Sequence, residues 1–142
     1  MARSNERRRV AERLHSAAIH VLRYARQADR QSAMGPAQLS ALSVLVFGGP
    51  SNLRQLAGAE QVAPPTMTRI VAALRRGGYV RLTPSPDDAR SSIVEATAKG
   101  TAALEKARTA RLDLIDGLLS RNEHADVALL GKALAAIFPQ AR

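Results

Sequence analysis

Apolar residues along the chain fall into six stretches of helical spacing and one stretch of extended character. Residues 6–30 place Val10, Leu14, Ala17, Val21 and Ala25 on one face with Arg and Glu between them, which predicts one long helix. Gly35-Pro36 opens a second helix with the stripe Leu39, Leu42 and Val46, and Gly48-Gly49-Pro50 stops it. Ser51 is placed to cap a short third helix through Leu53, Leu56 and Ala57. Residues 58–62 turn the chain, and Pro64 opens a fourth helix that ends at Gly77-Gly78. Its stripe of Met67, Ile70, Val71 and Leu74 has the spacing i, i+3, i+4, i+7. Tyr79 to Thr83 and Ser91 to Ala96 predict two strands joined by the turn from Pro84 to Arg90. Pro84 and Pro86 confine this hairpin to an exposed, edge-like ribbon. Thr97 is placed to cap a fifth helix that runs to about residue 121 through Leu104, Leu112, Ile115 and Leu119. Asn122 is placed to cap a sixth, with Val127, Leu130, Leu134, Ile137 and Phe138 as its stripe.

The predicted fold class is mainly α with a small β-ribbon, a winged helix-turn-helix with long N- and C-terminal helices. Residues 36–97 form the winged lobe, and residues 1–35 with 98–142 form a helical region. The apolar faces of the first and sixth helices exceed what so small a lobe can cover, which predicts that a second copy covers them.

The third and fourth helices with their turn have the dimensions of a helix-turn-helix. In that motif the second helix enters the major groove of DNA, and its N-terminal residues meet base edges. With the apolar stripe turned inward, Pro65, Thr66, Thr68 and Arg69 lie at the exposed start. Thr hydroxyls bond phosphate or base, and Arg grips guanine bidentately. Arg75 and Arg76 lie near the end, where phosphates are the nearer target. A lone helical hairpin would equally suit a solvated surface, but here a ribbon follows directly with Arg90 at its turn. The narrow, electronegative minor groove suits an Arg on a thin ribbon. Asp88 is placed to pair with Arg90 and hold the loop, and Arg81 at the ribbon base is placed to touch phosphate. Asp87 reads as turn chemistry.

Composition sharpens this picture. The net charge is +9, and of the 21 basic residues only Lys99, Lys106 and Lys132 are lysines. A coding sequence rich in G and C also favours Arg over Lys, but it does not create the net charge. An excess of positive charge favours an anionic partner such as double-stranded DNA. Aromatics make up 3% of the chain, so the core rests on Ala, Leu, Val and Ile, which suits helix-on-helix packing. The absence of Cys excludes disulfides, thiolate metal sites and thiol redox sensing. No apolar run approaches about 18 residues and no signal peptide is evident, so the chain is expected in the cytoplasm, on the nucleoid when DNA-bound, with no membrane partner. His15 and His20 are five residues apart and do not share a helix face as an i, i+4 metal pair would. There is no Gly-rich phosphate loop and no nucleophile elbow, so no catalytic residue, metal or cofactor is expected.

The stretch from Leu56 to Arg81, LAGAEQVAPPTMTRIVAALRRGGYVR, resembles the MarR (multiple antibiotic resistance regulator) family. That family's Asp-x-Arg wing signature is matched by Asp88-Ala89-Arg90. Its Leu-Thr-x-x-Gly run is matched by Ala96-Thr97-Ala98-Lys99-Gly100, with Ala in place of Leu. The resemblance covers essentially the whole chain and is most specific over residues 53–100. It implies a homodimer in which the first, fifth and sixth helices of both subunits intertwine. It also implies a pseudo-palindromic operator and release by a small ligand. The expected function is therefore sequence-specific transcriptional regulation, with repression as the expected direction. The alternative is a sequence-neutral architectural DNA-binding protein without an effector.

Without Cys, the thiol-oxidation switch used by some members of the family is chemically closed. The expected input is a small lipophilic or anionic effector, in a pocket where helix one meets helices two and five. His15, His20 and Tyr24 are its candidate polar anchors, and Arg108 and Arg111 its candidate partners for an anion such as an aromatic carboxylate. The competing reading makes the same His and Tyr ordinary packing residues of a constitutive regulator.

Overall fold

A computed structural model describes residues 2–30, 32–88 and 90–139. The element order is α1 (Ala2–Asp29), α2 (Pro36–Gly48), β1 (Ser51–Asn52), α3 (Leu53–Ala59), α4 (Pro64–Arg76), β2 (Val80–Pro84), β3 (Ser92–Ala96), α5 (Ala98–Ser120) and α6 (Val127–Ile137). The chain divides into two compact units. One spans Arg26–Arg111, and the other combines Met1–Ala25 with Leu112–Arg142.

The unit 26–111 is built on one apolar cluster. Leu39, Leu42 and Leu45 of α2 meet Leu56 of α3 and Met67, Val71 and Leu74 of α4. Val80, Val94 and Leu104 bring in β2, β3 and α5. Gln38 Oε1 accepts from the Gly35 amide at 3.0 Å, and Pro36 fills the position where a helix has no use for an amide proton.

Two expected caps prove to be displaced. Ser51 does not cap α3; it lies in β1 and pairs with Val94, and its buried hydroxyl finds no partner among the described residues. Asn52 takes the capping role. Its Oδ1 accepts from the Gln55 amide at 2.8 Å while Gln55 Oε1 accepts from the Asn52 amide at 3.0 Å. At α6 the cap is Asp126, which accepts from the Leu129 amide at 2.8 Å, whereas Asn122 donates to the Leu118 carbonyl in the preceding turn. The long first helix begins at Ala2 rather than near residue 6.

The expected ribbon gains a third strand. The sheet order is β1-β3-β2, antiparallel throughout, so β3 is central and β2 keeps a free edge. Pro84 stands at the end of β2 opposite Ser92, where an edge strand tolerates a missing donor.

The ends of α3 and α4 close in the same way. Val62 N donates to Ala57 O with Gln61 in the left-handed region (φ 53°), and Tyr79 N donates to Leu74 O with Gly78 there (φ 74°). Gly78 relieves the Cβ clash that Gln61 bears. Beyond α4, the chain is locked to the start of α5. Thr97 Oγ1 donates to Gly78 O at 2.7 Å and accepts from the Gly100 amide at 3.1 Å, as the sequence predicts for a cap. Lys99 Nζ donates to Gly77 O at 2.7 Å. Gly100 is buried directly against the backbone, where a Cβ would collide with the Tyr79 carbonyl oxygen.

In the other unit, α6 has no buried residue although its sequence, VALLGKALAAI, is almost wholly apolar. Leu129 is 63% exposed and Ile137 55% exposed. On α1, Val10 and Leu22 are exposed as well. Within this unit Arg121 Nη2 donates to the Tyr24 hydroxyl at 3.0 Å.

Two glycines give opposite outcomes on replacement. Gly100→Ala places a methyl against backbone that no rotamer change can clear, and should destabilise by about 1–3 kcal/mol. Gly58→Ala in α3 meets nothing within 4 Å and should stabilise by about 0.5–1 kcal/mol. Urea unfolding midpoints of the two variants, moving in opposite directions, check both.

Candidate nucleic-acid interface

Helix α4 separates two chemistries along its length. Met67, Val71 and Leu74 are buried, while Pro65, Thr66, Thr68, Arg69, Arg75 and Arg76 are exposed. Pro64 and Pro65 start the helix, so two of its first amides are absent and leave no unmet donors. Thr68 Oγ1 donates to Pro64 O at 3.0 Å, which spends its proton inside the helix and leaves its lone pairs to accept. Arg69 and the Thr66 hydroxyl therefore carry the donor capacity at the exposed start. α4 contains no acidic residue, and its last turn holds Arg75 and Arg76. Across residues 53–76 four Arg (54, 69, 75, 76) face one acid, Glu60, a net charge of +3. Arg54, exposed on the first turn of α3, was missed by a reading of that helix confined to its apolar stripe.

The ribbon is different. Residues 80–96 contain Arg81 and Arg90 against Asp87, Asp88 and Glu95, a net charge of −1. Arg81 and Glu95 stand directly opposite across β2 and β3, with Nε and Nη2 on Oε2 at 2.8 and 2.7 Å. An Arg81 contact to phosphate must compete with Glu95. The pair is largely exposed, so it is worth little to stability and is open to exchange.

At the tip, Asp88 Oδ1 accepts from the backbone amide of Arg90 at 2.9 Å, and Asp88 O accepts from the amide and hydroxyl of Ser91. The expected side-chain pairing of Asp88 with Arg90 is thus replaced by a grip on Arg90's backbone, which leaves the guanidinium exposed. Ala89 between them lies outside the described residues. A depression of about 520 Å³ runs between α4 and β2, lined by Thr68, Ala72, Arg75, Arg76 and Leu82.

The expected effector residues fall in both units. His15 and His20 are exposed on α1, and Tyr24 already accepts from Arg121. Arg108 is exposed on α5. Arg111 is engaged, its Nε 2.7 Å from Oδ1 of the buried Asp29. An effector using Tyr24 or Arg111 shares those groups with their partners, since the Tyr24 hydroxyl keeps its proton to donate and only Nε of Arg111 is committed to Asp29. Among the described residues, no cluster of three or more His, Cys, Asp or Glu is placed to hold a metal, and no helix is long and apolar enough to cross a membrane.

The sequence profile of the MarR family matches residues 35–92, the span from the start of α2 into β3. An uncharacterised HTH-type transcriptional regulator of Mycobacterium leprae is 36% identical over 115 residues, 80% of each chain. An HTH-type transcriptional regulator of Mycobacterium tuberculosis is 32% identical over 125 residues, covering 88% of this chain and 87% of its own. Among solved structures, a transcriptional regulator from Thermotoga maritima superposes with a TM-score of 0.77 at 26% identity, covering 92% of this chain and 94% of that one. Wild-type MarR of Escherichia coli in its apo form superposes at 0.78 with 22% identity, covering 91% and 96%, a likeness of fold.

The geometry at the tip separates a hydrogen-bonding role for Asp88 from a charge role. Asp88→Asn keeps the acceptor for the Arg90 amide and should leave that amide's hydrogen exchange within about twofold of the parent. Asp88→Ala removes the acceptor and should speed exchange by about tenfold, as expected for loss of one hydrogen bond worth about 1.5 kcal/mol. Amide exchange followed by NMR checks both.

Proposed function

The chain belongs to the MarR family of DNA-binding transcriptional regulators, and on that premise we propose that it is a sequence-specific repressor. In this reading a homodimer acts in the cytoplasm on a pseudo-palindromic operator and is released by a small ligand. The observation that carries the reading is the division of α4, with three side chains in the core and an acid-free polar face outside. In the major groove, Arg69 reads a base edge and Pro65, Thr66 and Thr68 line the approach, while Arg75 and Arg76 hold phosphates. Arg90 enters the minor groove on a tip whose shape Asp88 sets, and Arg81 exchanges Glu95 for phosphate at the wing base.

The dimer reading is supported by α6. An apolar helix with no buried residue is not stable in water without cover, and a second copy supplies the matching face. Dimerisation through α1, α5 and α6 would place two copies of α4 about a two-fold axis. Release follows if a ligand binds better to a spacing of the two lobes that misfits the operator. His15, His20, Tyr24, Arg108 and Arg111 belong to this reading as effector contacts.

The test begins with genomic fragments captured by the purified protein, followed by titration against scrambled competitor DNA. Equal affinity for captured and scrambled fragments overturns sequence specificity. On a captured fragment, Arg69→Ala should cost about 1–3 kcal/mol and relax base preference at one position per half-site. Arg90→Ala should weaken binding across sequences and lower the salt slope by about one contact. Titrations at several salt concentrations separate the two. The symmetric dimer also sets the operator: half-site centres should lie about 10 base pairs apart, and five base pairs inserted between them should abolish cooperative binding in a gel shift.

A further inference from the structure

Over residues 2–25, which belong to the helical unit rather than to the unit that carries α4, helix α1 sorts its side chains onto two faces. A helix turns by about 100° per residue, which places Arg9, Arg13, Ser16, His20 and Arg23 within an arc of about 80°. Val10, Leu14, Ala17 and Val21 fall on a separate arc of about 60°. All five residues of the first arc are exposed, and they follow one another along about 21 Å of helix. Residues 2–25 hold six Arg against Glu6 and Glu12, a net charge of +4 (six minus two). The two acids flank the arc on either side, and Glu12 is already engaged by Arg8 at 3.0 Å. Arg9, Arg13 and Arg23 have no hydrogen-bond or ion-pair partner among the described residues. Arg9 and Arg13 stand four apart, where like charges disfavour a helix, and a bound anion would relieve that repulsion.

We propose that this stripe is a second DNA-binding surface, which grips the phosphate backbone without regard to sequence. A duplex carries one negative charge per about 1.7 Å of its axis, so a line of cations finds phosphates whatever the bases are. Guanidinium forks match phosphate oxygens, and Ser16 and His20 add donors between the arginines. A lipid surface would need apolar side chains within the same arc to enter the bilayer boundary, and the arc holds none. The apolar arc lies to one side, so a second copy that covers it leaves the stripe in water. Within the function proposed above, the grip holds the protein on DNA while α4 is not seated in a groove. The grip itself rests on the charge and exposure of the stripe and not on that reading.

The test uses the full-length protein carrying Arg69→Ala, Arg75→Ala and Arg76→Ala, which removes the cations of α4, and a labelled duplex of random sequence. Anisotropy titrations at several salt concentrations should show residual, salt-sensitive binding. Adding Arg9→Gln, Arg13→Gln and Arg23→Gln should weaken that binding about tenfold at low salt and lower the salt slope by about three contacts. Each single replacement should lower the slope by about one contact. Lys at the same three positions should retain the binding. Circular dichroism and sedimentation should show the Gln variant folded and in the oligomeric state of the parent. Unchanged affinity and slope overturn the surface. A change of oligomeric state overturns it too, because the stripe then belongs to a contact between copies. Tighter binding to phosphatidylglycerol vesicles than to the duplex, lost with the three Gln replacements, overturns DNA as the partner. If the protein with α4 intact shows the stripe-dependent slope but no preference for captured over scrambled fragments, the surface stands and the function proposed above falls.

Discussion

The unit that carries α4 depends on one close approach, that of Gly100 to the backbone at Tyr79. Only a residue without Cβ lets α5 reach the chain there, and Leu42 of α2 packs against the same glycine. Around this contact, Thr97 and Lys99 donate to the carbonyls of Gly78 and Gly77, so the cap and first turn of α5 hold the two residues that follow α4. Helix α4, the sheet and α5 thereby share one joint. The ribbon's position relative to α4 is set there rather than by the ribbon's own hairpin turn, and β1 adds a second fixing by pairing with β3. A groove-reading helix and a wing must keep a fixed spacing to engage adjacent grooves, and packed backbone holds spacing more firmly than exposed side-chain pairs do.

Charge is distributed unevenly over that frame. The helical face is net cationic and the ribbon is not, because Glu95 offsets Arg81 and two aspartates, Asp87 and Asp88, precede Arg90. Under the proposed reading, attraction to DNA comes chiefly from α3 and α4, and the wing contributes through the placement of one guanidinium. Asp88 contributes shape, since its carboxylate is spent on a backbone amide. The acid costs some attraction to phosphate but orders the segment from which Arg90 projects, and ordering in advance reduces the entropy lost on binding.

How much of this was legible in the sequence follows from the range of each interaction. The stripe Met67, Ile70, Val71, Leu74 is a local period, and it located α4 and therefore the polar residues opposite it. The stop at Gly77-Gly78 and the cap at Thr97 were legible for the same reason. Strand β1 was not, because two residues have no period and Ser51 looks like a cap until β3 arrives beside it. With Ser51 taken by the sheet, the capping role moved one residue on to Asn52, an equally good acceptor. Between Asn122 and Asp126 the choice is local, with Asn122 turned back to the Leu118 carbonyl and Asp126 left to accept from the Leu129 amide. The partners of Tyr24 and Arg111 lie 97 and 82 residues away, beyond any pattern of spacing. Those two contacts reduce the pool of uncommitted groups that the sequence offered to an effector.

The buried Asp29 fixes the end of α1 within the 26–111 unit. A carboxylate at the C-terminal end of α1 opposes the helix dipole and loses hydration on burial, and each effect alone disfavours it. Arg111 offsets both at 2.7 Å, so the place where α1 enters the unit is fixed to the place where α5 leaves it. Outside that point the same two helices carry exposed apolar side chains, and α6 carries nothing else of consequence. Internal packing thus stabilises residues 26–111, whereas α6 buries none of its side chains. If a second copy covers α6, its folding is linked to protein concentration by mass action, while the 26–111 core is not. In that reading, a signal that changes how two copies meet acts on the part of the molecule with the least stability of its own.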